Sequence, residues 1–187
     1  MITIRKEFHR DVAAREALLD QCFGEARFRK ASERLREGRL PAHGLAFTAS
    51  DRGRVVGTVR LWNVSAGPSR PALLLGPIAV HPDFRSQGLG GTMMRHALDT
   101  AKGLGHRAVM LVGDAPYYER FGFAAQTTGG LWLPGLYDVN RFLALELAPG
   151  ALANTHGLVS PTGRIARKPA LSALIARTAH NQSARAA

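Results

Sequence analysis

Ile78-Ala79-Val80-His81-Pro82-Asp83-Phe84-Arg85-Ser86-Gln87-Gly88-Leu89-Gly90-Gly91 is the stretch that decides how this chain folds. An apolar run ends at Val80, a short polar loop follows, and glycines then open a helix. The helix is marked by apolar residues at helical spacing: Leu89, Met93, Ala97, Ala101 and Leu104. The first N–H groups of a helix have no partner within it, and the macrodipole adds partial positive charge there. Glycines let an anion such as a phosphate come close to that backbone. Arg85 precedes the turn and adds a full charge. Two commoner phosphate loops are excluded. No Lys-Ser/Thr pair follows the glycines. The third glycine of a dinucleotide fold is replaced by Met93, and the glycines do not directly follow a strand. A glycine-rich cap without a ligand is the plain alternative.

Working outward, residues 72–80 read as a strand. Its Gly76-Pro77 pair predicts a bulge or a splayed edge, because proline cannot donate to a ladder. Gly103 and Gly105 end the helix, and 108–112 is a fully apolar, buried strand. Gly113 to Pro116 turns into a short helix through Phe121, which Gly122 stops. Upstream, residues 2–5 read as a strand. Asp11 caps a helix with Val12, Leu18, Leu19 and Phe23 on one face. The basic segment 24–41 holds a second short helix near Ser32, ended before Pro41. Residues 45–49 and 54–62 form a hairpin around Ser50-Asp51-Arg52-Gly53, and Asn63 to Pro71 reads as a loop. Residues 123–133 and 139–147 read as two closing strands. From Pro149 onward the chain has no acidic residue. The expected division is therefore a domain over 1–148 and a basic extension over 149–187, with Leu171, Leu174 and Ile175 on one face of a short helix. The fold class is α/β: a mixed, strongly twisted sheet with helices on both faces.

Composition narrows the function. At 187 residues the chain suits one domain. Its formal net charge of +11 attracts anionic partners. Nucleic acid is not expected among them, since neither aromatic-basic interleaving nor zinc spacing is present. A single cysteine, Cys22, excludes an internal disulfide and a cysteine zinc site, and its apolar neighbours suggest a buried structural thiol. No metal site is expected. The first residues lack a signal-peptide core, and the longest apolar stretch, Leu73 to Val80, is too short to span a bilayer. No membrane is expected as a partner, and the cytoplasm is the expected location.

Residues 78–91 resemble the acetyl-CoA motif of the GNAT superfamily of N-acetyltransferases. That motif is a strand followed by Arg/Gln-x-x-Gly-x-Gly/Ala, here Arg85, Gly88 and Gly90. Downstream, Tyr117-Tyr118-Glu119-Arg120-Phe121-Gly122-Phe123 is similar to the family's Tyr-Glu-x-x-Gly-Phe segment. The resemblance covers residues 1–148. It implies acetyl-CoA as co-substrate, with Ser86, Gln87, Gly88, Leu89, Gly90, Gly91 and Thr92 around its pyrophosphate. Ile78, Ala79 and Val80 would pair with the pantetheine arm, and a strand N–H would polarise the thioester carbonyl. The amine would attack directly, without an acyl-enzyme. Tyr118, which precedes Glu119, matches the general acid. Tyr117 is its rival, and core packing is the alternative for both.

The resemblance leaves some roles open. The strand from Ala72 to Val80 has no acidic residue to act as base. Asp114 is the nearest candidate and suits a helix cap better. His81 reads as structural. The family's frequent asparagine ahead of the tyrosine is absent, with Gly113-Asp114 in that region. The basic segment 27–39 reads as a solvated helix face or as a site for an acidic acceptor. Trp62 and Trp132 read as pocket or as core. The acceptor is left as a small-molecule, peptide or protein amine, and a homodimer is a further partner class. A non-catalytic acyl-CoA-binding module is the alternative function.

Overall fold

The computed structural model describes residues 1–167. In chain order the elements are β1 (Ile2–Lys6), α1 (Val12–Phe23), β2 (Ala46–Asp51), β3 (Arg54–Ala66), β4 (Pro71–Val80), α2 (Leu89–Gly103), β5 (Ala108–Val112), α3 (Ala115–Tyr118), β6 (Leu131–Trp132), β7 (Phe142–Glu146) and β8 (Gly157–Pro161). Six strands run in the order β1-β2-β3-β4-β5-β7, and β8 joins β3 to β6 beside them. β4 and β5 are parallel, β6 and β8 are parallel, and the other pairs are antiparallel, so the sheet is mixed.

The central strands are apolar on both sides because both sides are covered, and side chains alternate between the two faces. Phe47, Leu61, Leu73, Leu75, Val109, Leu111 and Leu143 pack with Met93, Met94 and Ala97 of α2. The intervening residues Trp62, Leu74, Met110, Phe142 and Ala144 face the other way. There they meet Leu35, Leu152 and Val159. α1 covers that second side farther along, where Leu18 and Leu19 pack on Val55 and Ala79. Its core-facing row also holds Arg15, buried and ion-paired with Glu7 and Glu16.

Several expectations are corrected. The stretch read as a loop from Asn63 is largely strand: β3 continues to Ala66, paired with β4 and then β8. Residues 123–133 are not one strand. Only an isolated Ala124–Ala144 bridge and the two residues of β6 pair, with a 3-10 turn at Gln126–Thr128 between them. The segment 24–41 forms 3-10 turns at Glu25–Arg29 and Glu33–Leu35 in place of a helix. Asp11 sits at the N-cap of α1 without capping it, because its carboxylate accepts from Arg5 and from the Phe8 N–H. Leu104 lies just past α2 and is exposed.

The expected boundary after residue 148 falls inside packed structure. Leu152 and Val159 are buried, β8 pairs with Val64–Ala66, and Leu40 donates to the Arg164 carbonyl. The pairing partner of this segment lies in β3, far away in sequence, and composition alone carries no trace of it. The expected helix at Leu171–Ile175 lies outside the described residues. Among those residues no helix is long and apolar enough to cross a membrane.

Candidate active site

A splay in the sheet opens the site. β4 and β5 pair only at Leu73–Val109 and Leu74–Met110 and then diverge. The divergence follows a bulge in β4: Leu75 faces Leu61 and Ile78 faces Val59, so Gly76 and Pro77 form an extra length on one strand only. Trp62 pins it, its indole N–H donating to the Gly76 carbonyl at 2.5 Å. The expected irregularity at Gly76-Pro77 is therefore present, and a buried tryptophan holds it in place. Neither tryptophan lines the opening, and Trp132 is exposed.

The opening is a cavity of about 650 Å³. Along its β4 side the backbone direction can be worked out. The His81 N–H bonds the Val56 carbonyl across β3. Directions alternate along a strand, so the polar groups of Val80 and Ile78 face away from β3, into the cavity. The thiol of Cys22 and the guanidinium of Arg85 both reach the Val80 carbonyl, at 3.5 and 3.4 Å. Ala79 lines the cavity too, but the same alternation turns its N–H and carbonyl towards β3. Cys22 is half-buried on the cavity wall, which corrects its reading as a core thiol.

Beyond Val80 the chain makes a 3-10 turn at Pro82–Phe84. The two ring nitrogens of His81 lie against the Asp83 N–H and the Arg54 guanidinium there, a structural role. Ser86 and Gly88 then take left-handed conformations, φ 60° and 78°, and Gly88 is the N-cap of α2. A left-handed cap costs glycine little, which accounts for Gly88. Thr92 is the first helical N–H bonded back, to the Gly88 carbonyl at 3.0 Å. The N–H groups of Leu89, Gly90 and Gly91 precede it and have no partner within the helix. Arg85 and Gly90 line the cavity. Ser86, Gln87 and Gly88 form the turn outside that lining, Leu89 is buried in the core, and Gly91 lies beneath Arg95 and Phe121.

Opposite this turn stand the two tyrosines of α3. A Cβ on Gly90 would sit 3.1 Å from the Tyr117 hydroxyl, so Tyr117 points at the start of α2, with the Arg120 guanidinium 3.9 Å above its ring. Tyr118 turns the other way. Its ring packs edge-on against Phe123 and lies so close to Gly113 that a side chain there would overlap it. Burial pushes the Tyr118 phenol up to about 12; Tyr117 and Asp114 push the same way, and Arg141 opposes them. Asp114 occupies the N-cap of α3 without a side-chain cap bond and instead pairs with Arg141 at 2.8 Å.

The remaining wall comes from the basic segment. Arg27 and Arg36 are buried, which corrects the reading of a solvated face at these two positions, whereas Arg29, Lys30 and Arg34 are exposed. Arg27 pairs with Glu16 and Asp20, and Arg36 with Glu33. Gly113, Lys30, Arg36 and Arg141 line the cavity without having been singled out as site residues in the sequence.

Residues 12–123 match the model of the acetyltransferase (GNAT) family. The chain belongs to the GNAT family of acetyltransferases. It is 32% identical over 157 residues to the Escherichia coli K12 protein named as an uncharacterised N-acetyltransferase, YhbS, spanning 83% of this chain and 93% of that one. The crystal structure of Escherichia coli YhbS in complex with CoA superposes with a TM-score of 0.73 at 30% identity, covering 89% of this chain and 96% of that one. A Brucella melitensis GNAT acetyltransferase solved with acetyl-CoA gives a TM-score of 0.57 at 26% identity, covering 90% and 96%. The expected family and the expected mixed sheet with helices on both faces are both borne out.

Proposed function

We propose that this GNAT acetyltransferase moves the acetyl group of acetyl-CoA to a primary amine by direct attack, with Tyr118 as general acid. The observation that carries this reading is the convergence on one cavity of the free β4 edge, the start of α2 and Tyr118. The residues fit the co-substrate. Arg85 and the open N–H groups of α2 suit a pyrophosphate, and the outward polar groups of Ile78 and the Val80 N–H suit the amides of an extended pantetheine arm. A Val80 or Ile78 N–H donating to the thioester oxygen would stabilise charge as it develops there.

Acetyl-CoA supplies the activated acyl group, and the chain's own residues manage the protons. The amine nitrogen bonds to the carbonyl carbon, the C–S bond breaks, the Tyr118 hydroxyl protonates the departing sulfur, and the surplus proton on the new amide nitrogen leaves through water, which restores the phenol. A free thiol has a reference pKa near ~8.5, well below that of the raised phenol. The burial that lifts Tyr118 acts equally on a thiolate formed beside it, so the two rise together. Asp114, tied to Arg141, is not free to serve as base. The amine therefore loses its proton to water, and the pH at which it is neutral sets the rising limb of the rate.

The test is thiol release from acetyl-CoA by the full chain across a panel of primary amines. Amine-dependent release supports transfer. Acetyl-CoA binding with no release for any amine would favour the acyl-CoA-binding module.

A further inference from the structure

Charge on the cavity wall is matched everywhere except at two places. Arg27, Lys30, Arg36, Arg85 and Arg141 line it, with Asp114 as the carboxylate. Arg27 belongs to a balanced cluster in which Arg15, Arg27 and Arg60 face Glu7, Glu16 and Asp20. Arg36 is matched by Glu33 and Arg141 by Asp114. Among the described residues Arg85 and Lys30 are the lining cations without an acidic partner. They have different neighbours. Arg85 reaches the Val80 carbonyl, whereas Arg36, a neighbour of Lys30, lies against Gly76. Arg85 is accounted for by the pyrophosphate. Lys30 is not.

Lys30 is placed where it can take a ligand. Its ammonium lies 4.9 Å over the Phe23 ring at the exposed rim of the cavity. Desolvation in the cleft, with Arg36 and Arg141 nearby, holds its pKa below the ordinary lysine value. With Arg36 and Arg141 already paired, Lys30 is the charge that a bound anion would balance.

We propose that the acceptor is an amine carrying a carboxylate a few bonds from its nitrogen, an amino-acid-like substrate whose carboxylate rests on Lys30 between Arg36 and Arg141. One uncompensated charge matches a monoanion better than a phosphate dianion. Tyr118 is close enough to Arg141 and Asp114 to sense both, so an amine anchored this way lies near the proposed acid. This inference rests on the acetyl-transfer reading and specifies its acceptor.

The experiment compares matched amines with the full-length protein: glycine, β-alanine and γ-aminobutyrate against their amides, and phosphoethanolamine against ethanolamine. Thiol release from acetyl-CoA gives kcat/KM. The shift in melting temperature of the CoA complex gives binding independently of turnover. At least one carboxylate should exceed its amide by about tenfold or more. Lys30→Met should bring it down to the level of the amide, and Lys30→Arg should keep the preference. Amides that match every carboxylate, a phosphoethanolamine rate above all carboxylates, or a preference that survives Lys30→Met would overturn the proposal. If no amine releases thiol, acetyl transfer fails and the binding measurement decides separately. Lys30-dependent stabilisation by carboxylates supports the anion site, and its absence sinks it.

Discussion

The two ends of the cavity are built in opposite ways. The phosphate end is continuous chain: Val80, the 3-10 turn, Ser86, Gly88 and the start of α2 follow one another within residues 78–92. The acceptor end is assembled from pieces. Arg27 is held by α1, Arg36 by Glu33, Arg141 by Asp114, and the neighbouring Arg39 donates to the Gly163 carbonyl 124 residues away. A site made from consecutive residues depends on local conformation and survives damage elsewhere. A site made from distant residues stands only while the whole second layer stands.

The largest effect that distinguishes the two ends is a truncation. Ending the chain at residue 148 removes β8, exposes the edge of β3 at Val64–Ala66 and strips Leu152 and Val159 from the second core layer. Each buried side chain of this kind is worth about 1.5–3 kcal/mol, against a total stability of roughly 5–15 kcal/mol for a domain. The expected result is loss of soluble, cooperatively melting protein. A chain ending at residue 167 keeps every contact described and is the reference for the shorter truncation. Equal melting of both truncations would show that the acceptor side does not depend on its distant supports.

Next comes Gly90→Glu, which attacks the local end alone. The new carboxylate would face the open N–H groups of α2 and crowd the Tyr117 hydroxyl. The protein should fold, because Gly90 is outside the buried core. At 100 times its dissociation constant a ligand stabilises the native state by about 2.7 kcal/mol. The variant should lose all of the resulting shift in melting temperature with acetyl-CoA. A retained shift would remove the pyrophosphate from this turn.

The same contrast explains what was legible in the sequence. The strand, glycine turn and α2 were readable because each step is fixed by neighbours: apolar spacing, a glycine in a left-handed cap, a proline that breaks pairing. Gly113 illustrates the opposite case. Its φ is not in the left-handed region, and only the Tyr118 ring lying against it accounts for the missing side chain. Tyr118 is nearby in sequence, but its direction is visible only in three dimensions. Arg27 reads as part of a solvated face because its partners Asp20 and Glu16 lie 7 and 11 residues away, and Arg36 because an i,i+3 pair with Glu33 is as usual on an exposed helix as in a buried wall. β8 is hidden because a five-residue strand that itself ends in Pro161 has no alternation long enough to register.

Tyr118→Phe is expected to have the third-largest effect, and it probes where the two ends meet. Losing a general acid costs about 10²-fold or more in turnover. Melting temperature and acetyl-CoA affinity should be nearly unchanged, since only a hydroxyl is lost. The pH profile gives a second reading. With the phenol raised to about 12, the acid stays protonated through the neutral and mildly alkaline range. The wild-type kcat should therefore rise towards the pKa of the bound amine and show no falling limb from Tyr118 below about pH 10. Wild-type turnover by the variant would remove the acid role.

Tyr117→Phe should give the smallest effect, and its kind matters more than its size. The two tyrosines are sequence neighbours with rings 4.9 Å apart, yet they serve different ends of the cavity. The Tyr117 hydroxyl lies over Gly90, where a diphosphate would sit, and its ring is held under the Arg120 guanidinium. With the diphosphate bound there as proposed, removing the hydroxyl would delete one hydrogen bond to it, worth about 0.5–1.5 kcal/mol. KM for acetyl-CoA should rise by about two- to tenfold while kcat stays near wild type, the pattern of lost uniform binding. The ring stays, so its stacking and the fold are preserved. If kcat drops instead with KM unchanged, the proton donor is Tyr117, and the division of labour between the two tyrosines is reversed. If both substitutions raise KM and leave kcat alone, α3 only holds the co-substrate, and the thiolate takes its proton from water.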